Sequence, residues 1–166
     1  MARVLVTGIG GCIGAWTAKR LLEEGHDPVG TDLSDDLPRL RLVGAEGQLP
    51  VHRLDARDEE GVGKLLDAER PDAVIHLAAL QIPFCKADPA GCVGVNVAAV
   101  MLLLEAARER GFGLAYASSA AVYGPDQGRT LSEHEGVRPH TLYGVFKFAN
   151  EEMGRVYHQD YGVTSA

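Results

Sequence analysis

Short apolar runs alternate with longer amphipathic stretches along the whole chain. Five runs have the length and composition of buried strands: residues 3–7, 28–32, 51–54, 73–77 and 114–118. The amphipathic stretches between them predict helices over residues 12–24, 58–69, 90–110 and 141–160. This alternation predicts an α/β fold in which crossover helices cover a parallel sheet.

Some segments are less regular. The first helix has Ile13, Trp16 or Thr17, and Leu21 at helical spacing, which predicts that these side chains face inward. Residues 35–48 fit either a short helix or a loop. Pro83 and Pro89 predict a loop before the long helix, and the Gly, Pro and charged residues of 124–139 predict another.

A glycine-rich turn joins the first strand to the first helix. Gly8, Gly11 and Gly14 form a GxxGxxG pattern there. The backbone must turn sharply at such a place and then approach a pyrophosphate closely, while the helix N-terminus supplies free N–H groups for the anion. A strand before the turn and a helix after it are the context that favours dinucleotide binding over an ordinary turn.

Asp32, at the end of the second strand, strengthens this interpretation. An acidic residue at this place accepts hydrogen bonds from the adenosine ribose and repels a 2′-phosphate, which predicts NAD as the cofactor, although Arg39 and Arg41 lie nearby. The doubly wound (Rossmann-like) sheet commonly has strand order 3-2-1-4-5-6. Here the sixth strand barely begins at residues 162–166, so we predict a single domain over residues 1–166, truncated there, with the C-terminal substrate domain missing.

Composition and charge exclude several other classes. The 166 residues carry a formal net charge of -7 and no basic cluster, which argues against a nucleic-acid partner. The apolar stretch 93–107 is interrupted by Asn96 and Glu105 and is judged too short and too polar to cross a membrane. With no signal-peptide pattern at the N-terminus, these features predict a cytoplasmic protein. The three cysteines predict free thiols, and the spacing of the six histidines predicts no metal site.

Several motifs, in a fixed order, resemble the extended short-chain dehydrogenase/reductase family, in its epimerase/dehydratase group. After the glycine turn and Asp32 they are residues 54–57 (LDAR), 76–79 (HLAA), 96–97 (NV), 118–124 (SSAAVYG) and 143–147 (YGVFK). The resemblance covers essentially the whole chain.

The resemblance implies a role for each matching residue. It implies cofactor contacts from Gly8, Gly11, Cys12, Ile13, Gly14, Asp32, Asp55, Ala56, Leu77, Ala78, Ala79, Gln81, Asn96, Tyr143 and Lys147. Asp55 faces the adenine in this interpretation, although it could instead cap the following helix, and Ala78 and Ala79 could be strand-end packing. His76 is expected to be a structural residue at a strand end.

Ser119, Tyr143 and Lys147 match the catalytic residues of the family. Tyr143 and Lys147 are four residues apart and share a helix face. A nearby ammonium favours the phenolate that a general base needs at neutral pH. Tyr143 is then expected to remove the proton of a substrate hydroxyl as hydride leaves the same carbon for NAD, with Ser119 orienting that hydroxyl.

The choice among activities stays open. Residues 119–121 (Ser-Ala-Ala) lack the Thr-Asp-Glu run that the resemblance associates with dehydratases, so a dehydratase is disfavoured. A sugar-nucleotide epimerase is the first expectation, a dehydrogenase or reductase of a small alcohol or sugar the second, and a non-catalytic dinucleotide-binding module the third. The resemblance also implies a homodimer through the helices carrying Asn96 and Tyr143. Val100, Leu103 and Leu104 fit either that interface or the core.

Overall fold

Five parallel strands form one sheet in the order β3-β2-β1-β4-β5. The computed structural model describes residues 1–125, 128, 132 and 136–166. The strands are β1 (Arg3–Thr7), β2 (Asp27–Asp32), β3 (Val51–Arg53), β4 (Ala73–His76) and β5 (Gly113–Tyr116). The helices are α1 (Cys12–Glu23), α2 (Pro38–Leu42), α3 (Glu59–Glu69), α4 (Ile82–Ala87), α5 (Pro89–Val93), α6 (Ala99–Arg110) and α7 (Leu142–Tyr161). The doubly wound fold is confirmed.

The side of the sheet to which successive strands are added changes at β1. From β1 it moves outward to β2 and β3, and it then returns to place β4 and β5 on the other side of β1. Residues 164–166 pair with β5 through a parallel bridge between Leu114 and Ser165, so the sixth-strand position is begun as the sequence predicts. Ligands of open α/β sheets bind beyond the carboxyl ends of the strands at this kind of switch point.

The buried face of α1 differs from the prediction. Ile13 and Trp16 are 64% and 53% exposed, whereas Gly14, Ala15 and Ala18 are buried against the sheet. An added Cβ on Gly14 would lie 2.3 Å from the Gly8 carbonyl oxygen, so the helix approaches the glycine turn too closely for a larger side chain. The predicted inward face was wrong for Ile13 and Trp16, because only small residues permit this approach, whereas Leu21 is partly buried and packs against the core as predicted.

Two loop predictions are also changed. Residues 35–48, left open between a helix and a loop, contain the short helix α2. Residues 82–87 form α4 where a loop was predicted, because Pro83 lies in the first turn of the helix, where its missing N–H has no cost. Of the predicted loop 124–139, residues 126–127, 129–131 and 133–135 lie outside the described residues.

Cys85 and Cys92 form a disulfide, so the prediction of free thiols was wrong for these two residues. Helices α4 and α5 meet at Asp88, and this break places the two Cα atoms 5.0 Å apart, within disulfide range. Among the described cysteines Cys12 is the free one, and it is exposed.

The long apolar helical segment lies against the sheet. Residues Pro89–Arg110 are, by length and composition alone, sufficient to cross a membrane, so the sequence argument that this stretch is too short and too polar was wrong. Its residues Val100, Leu103 and Leu104 are buried in the core with Leu5. These three side chains therefore belong to the core and not to a surface interface.

Candidate active site

A cleft of about 210 Å³ opens beyond the carboxyl ends of β1, β2 and β4. Eight of its lining residues were predicted as cofactor contacts: Gly8, Gly11, Asp32, Asp55, Ala56, Leu77, Ala78 and Ala79. Five others were not predicted from the sequence: Thr31, Leu33, Leu54, Leu80 and Val95. All five adjoin predicted residues in sequence: Thr31 and Leu33 flank Asp32, Leu54 precedes Asp55, Leu80 follows Ala79, and Val95 precedes Asn96.

The glycine turn closes one side of this cleft and leaves no room for side chains. Gly8 has φ +67°, and a Cβ there would lie 2.6 Å from the backbone nitrogen of Ala78. A Cβ on Gly11 would lie 3.1 Å from the Gly8 carbonyl oxygen, which also accepts a hydrogen bond from the Gly11 N–H. The glycines are therefore required by close backbone approach, as the sequence pattern predicts.

The first turn of α1 begins next to this glycine backbone. Gly11 is its N-cap residue, no side chain caps it, and no acidic residue lies in the first turn. Cys12 and Ile13 are exposed there. Uncapped N–H groups at the positive end of a helix favour an anion, so the turn fits a pyrophosphate.

Asp32 lies across the cleft mouth from this turn. Its carboxylate accepts hydrogen bonds from the Gly10 N–H at 2.9 Å and from the Ser34 N–H at 3.2 Å. Arg41 is directed away, toward Asp36, at 2.6 Å. Arg39 donates to the Gly10 carbonyl at 3.3 Å, so one guanidinium lies at the glycine turn, next to the residue whose N–H binds Asp32.

Asp55 lines the cleft but is held by a neighbouring side chain. The Arg57 guanidinium donates to it at 2.6 Å, and this hydrogen bond lowers the pKa of the Asp55 carboxyl. Asp58, not Asp55, caps α3, because the Asp58 side chain accepts the Gly61 N–H. The alternative that Asp55 is a helix cap is therefore wrong.

Asn96 lies behind the cleft and not in it. Its side-chain amide makes two hydrogen bonds of 2.8 Å with the backbone of Leu80, one as donor and one as acceptor. A turn of π-helix at Gly94–Ala98, between α5 and α6, contains Asn96. The Asn96 carbonyl in turn accepts from the Asn150 amide at 2.8 Å. The loop after β4 is thus fixed from behind, while Gln81 is exposed at the start of α4.

Tyr143 and Lys147 lie together on α7, and both are buried. The Lys147 Nζ is 5.7 Å from the centroid of the Tyr143 ring and donates a hydrogen bond of 2.7 Å to the carbonyl of Ala117, just beyond β5. Burial lowers the pKa of Lys147. The predicted pair is therefore brought together and anchored to the end of the sheet.

Ser119 reaches the same region through a short 3-10 helix at Ala120–Tyr123. Its hydroxyl accepts the Ala121 N–H at 3.2 Å. A Cβ on Gly144 would lie 2.5 Å from the Ala121 carbonyl oxygen, so this helix and the start of α7 approach closely beside Tyr143. Gly144 was missed in the sequence, where a glycine within YxxxK gives no signal of its own. Within the described part of the chain, no cluster of three or more His, Cys, Asp or Glu side chains is placed to hold a metal ion.

A family model named "NAD dependent epimerase/dehydratase family" matches residues 4–166. The chain belongs to this family. UDP-glucose 4-epimerase 4 of Oryza sativa subsp. japonica is 36% identical to this family member over 95% of the chain and 45% of the relative. The chain thus spans about half the length of the curated relatives it matches.

Solved structures of an epimerase and of a dehydrogenase superpose on the chain. The UDP-glucose 4-epimerase of Thermus thermophilus in complex with NAD is 34% identical, with a TM-score of 0.89, over 98% of this chain and 53% of the other. The L-threonine 3-dehydrogenase of Trypanosoma brucei is 31% identical, with a TM-score of 0.88, over 99% of this chain and 52% of the other. The chain is therefore similar both to epimerases and to a dehydrogenase.

Proposed function

We propose that the chain binds NAD in the cleft at the carboxyl ends of β1, β2 and β4. The observation that carries this proposal is the crowding at Gly8, where a side chain would collide with Ala78 while the uncapped start of α1 faces the same space. The glycine turn would hold the pyrophosphate, Asp32 the adenosine ribose, and Asp55 and Ala56 the adenine. The carboxylate of Asp32 favours NAD over NADP.

The same proposal assigns the catalytic roles. When bound, NAD supplies a hydride acceptor at its nicotinamide. Tyr143 removes the proton of a substrate hydroxyl, and Lys147 holds its ammonium group beside the Tyr143 ring. Ser119 binds the same hydroxyl and orients it toward Tyr143. Lys147 keeps its place through the Ala117 carbonyl, and the two further protons of its ammonium group would bind the cofactor ribose.

For the substrate we propose a sugar nucleotide, converted by an epimerase-like reaction. Support comes from the likeness to UDP-glucose 4-epimerases in sequence and in structure. The likeness to an L-threonine 3-dehydrogenase supports a second candidate, net oxidation of a small alcohol. The two differ in the fate of the cofactor: an epimerase retains NAD through oxidation and re-reduction, whereas a dehydrogenase accumulates NADH.

Three further expectations remain proposals. The half-length match keeps a non-catalytic dinucleotide-binding module as the third candidate. A homodimer through the helices of Asn96 and Tyr143 would be tested by the mass in solution. A cytoplasmic location is proposed from the composition.

Calorimetric titration of the 166-residue chain with NADH and with NADPH tests the proposal. Binding of NADH with a clear preference over NADPH is the expected result. A folded chain that binds neither would contradict it. If NADH binds, the chain is next given NAD⁺ together with UDP-glucose or L-threonine, and the absorbance of NADH is followed. Only a dehydrogenase produces net NADH from NAD⁺, and a chain that turns over no substrate fits the non-catalytic module.

A further inference from the structure

Thr7 and His76 are register partners at the ends of β1 and β4, and both are buried. The Thr7 Oγ1 lies 2.7 Å from the His76 Nδ1. The same oxygen accepts hydrogen bonds from two backbone N–H groups beyond β4, those of Leu77 at 3.2 Å and Ala78 at 3.3 Å. Neither side chain has a part in the chemistry proposed above.

These three contacts define where the protons are. A hydroxyl has one proton and two acceptor lone pairs. Because the Leu77 and Ala78 N–H groups occupy the acceptor side of the Thr7 oxygen, its proton must point at the His76 Nδ1. The Nδ1 is then an acceptor, and the ring proton of the neutral imidazole lies on Nε2. Burial lowers the pKa of His76 to about 4, which keeps the ring neutral. The Nε2 finds no partner among the described residues.

The backbone groups held by Thr7 belong to the cleft. Leu77 and Ala78 line it, and the Ala78 nitrogen is the atom that a Cβ on Gly8 would approach to 2.6 Å. The Ala78 N–H therefore lies where the backbone of the loop after β4 contacts the glycine turn in the lining of the cleft. Without the acceptor at His76, the Thr7 hydroxyl would be free to rotate its proton toward these N–H groups. The Ala78 N–H would then lose its hydrogen bond to the hydroxyl, whereas the Leu77 N–H would keep its second acceptor, the Thr7 backbone carbonyl at 3.2 Å.

We propose that His76 is a positioning residue for the dinucleotide site. Its Nδ1 accepts the Thr7 hydroxyl proton, and this directs the Thr7 lone pairs to the Leu77 and Ala78 N–H groups, which hold the loop after β4 in place against Gly8. The inference rests on the proposed NAD site. It differs from the expectation that His76 is only a structural residue at a strand end, because a structural role affects stability but not the cofactor affinity of the folded protein.

Two pairs of variants separate these roles. Thr7→Val keeps the shape of the side chain but removes the hydroxyl, whereas Thr7→Ser keeps the hydroxyl. His76→Leu removes the acceptor, whereas His76→Asn keeps a carbonyl oxygen near the Nδ1 position. We expect Thr7→Val and His76→Leu to weaken NADH binding about tenfold, and the conservative variants to remain within about threefold of the wild type, since a buried N–H or hydroxyl loses its partner only in the first two.

Calorimetry with NADH at a temperature where every variant is folded gives the affinities. Equal NADH affinity in the wild type and all of these variants would overturn the inference, even if thermal stability falls. Where a variant does not fold, ¹⁵N spectra of histidine-labelled wild type still test it. The His76 ring, assigned by its absence in His76→Asn, should carry its proton on Nε2. A proton on Nδ1 would refute the assignment.

These measurements also distinguish failure of the proposed NAD site from failure of the positioning role of His76. If the wild type does not bind NADH, the proposed function fails, and hydrogen exchange of the Ala78 amide in the free protein then decides the inference. We expect that amide to exchange about tenfold faster in Thr7→Val than in Thr7→Ser. Equal exchange would overturn the positioning role.

Discussion

Acidification from pH 7 to pH 5 should destabilise the fold through His76. Burial, assisted by the charge of Lys147, lowers the pKa of this imidazole from its ordinary 6.5 to about 4. Between these two values the unfolded chain binds a proton that the native protein does not bind. The free energy of unfolding therefore falls as the pH falls through this window, and full stability is present only above the unfolded value.

The expected loss can be worked out from the two pKa values. At pH 5 the unfolded imidazole is almost fully protonated, whereas the native one is almost fully neutral. The free energy of unfolding is therefore about 2 kcal/mol lower at pH 5 than at pH 7. Urea unfolding followed by circular dichroism at both pH values measures it. His76→Asn is the control, because the carboxylates of Asp55 and Glu69, whose pKa values are also lowered, titrate in both proteins. If wild type and variant lose the same stability, the reasoning is refuted.

Three other predictions concern the site. Tyr143→Phe should lower kcat by about two to four orders of magnitude on any substrate that the wild type turns over, with NADH affinity unchanged in calorimetry; a retained kcat would exclude Tyr143 as the base. Asp32→Ala should reduce the ratio of NADPH to NADH dissociation constants, and an unchanged ratio would contradict the role of the carboxylate. Gly14→Ala should destabilise by about 1–3 kcal/mol and weaken NADH binding, because its Cβ would lie 2.3 Å from the Gly8 oxygen. Gly63→Ala, where nothing lies within 4 Å, should instead stabilise α3 by about 0.5–1 kcal/mol and leave binding unchanged, and equal effects of the two would argue against crowding at the turn.

Strand positions and the cleft were predictable from the sequence for a physical reason. The central strand β1 is buried and largely apolar, and residues that follow parallel strands fall at one edge of the sheet. Gly8, Asp32, Asp55 and Ala78 could therefore be placed together without coordinates. The YxxxK spacing likewise placed Tyr143 and Lys147 on one face of α7.

Other features depend on distances that periodicity does not contain. The spacing of Ile13 and Trp16 has helical period, but the sheet side of α1 is chosen by how closely the helix approaches Gly8, and only small residues fit there. The disulfide depends on the angle between α4 and α5 at Asp88. The side chain of Asn96, in a π-helical turn, binds the backbone of Leu80, 16 positions earlier, behind the cleft. No sequence pattern predicted this π-helical turn.

The central position of β1 has a consequence for how the chain folds. Its pairing with β2 joins residues 24 apart, such as Arg3 and Asp27, whereas its pairing with β4 joins residues 69 apart, such as Thr7 and His76. Closing the longer loop costs about 1 kcal/mol more in chain entropy, so the β1–β2 half has the advantage in forming first, and the seam with β4 closes later. The proposed cofactor lies across that same seam. A dinucleotide bound there stabilises the β1–β4 pairing, which has the highest entropic cost of formation in this topology. Besides its role in the reaction, it should therefore slow unfolding of the protein.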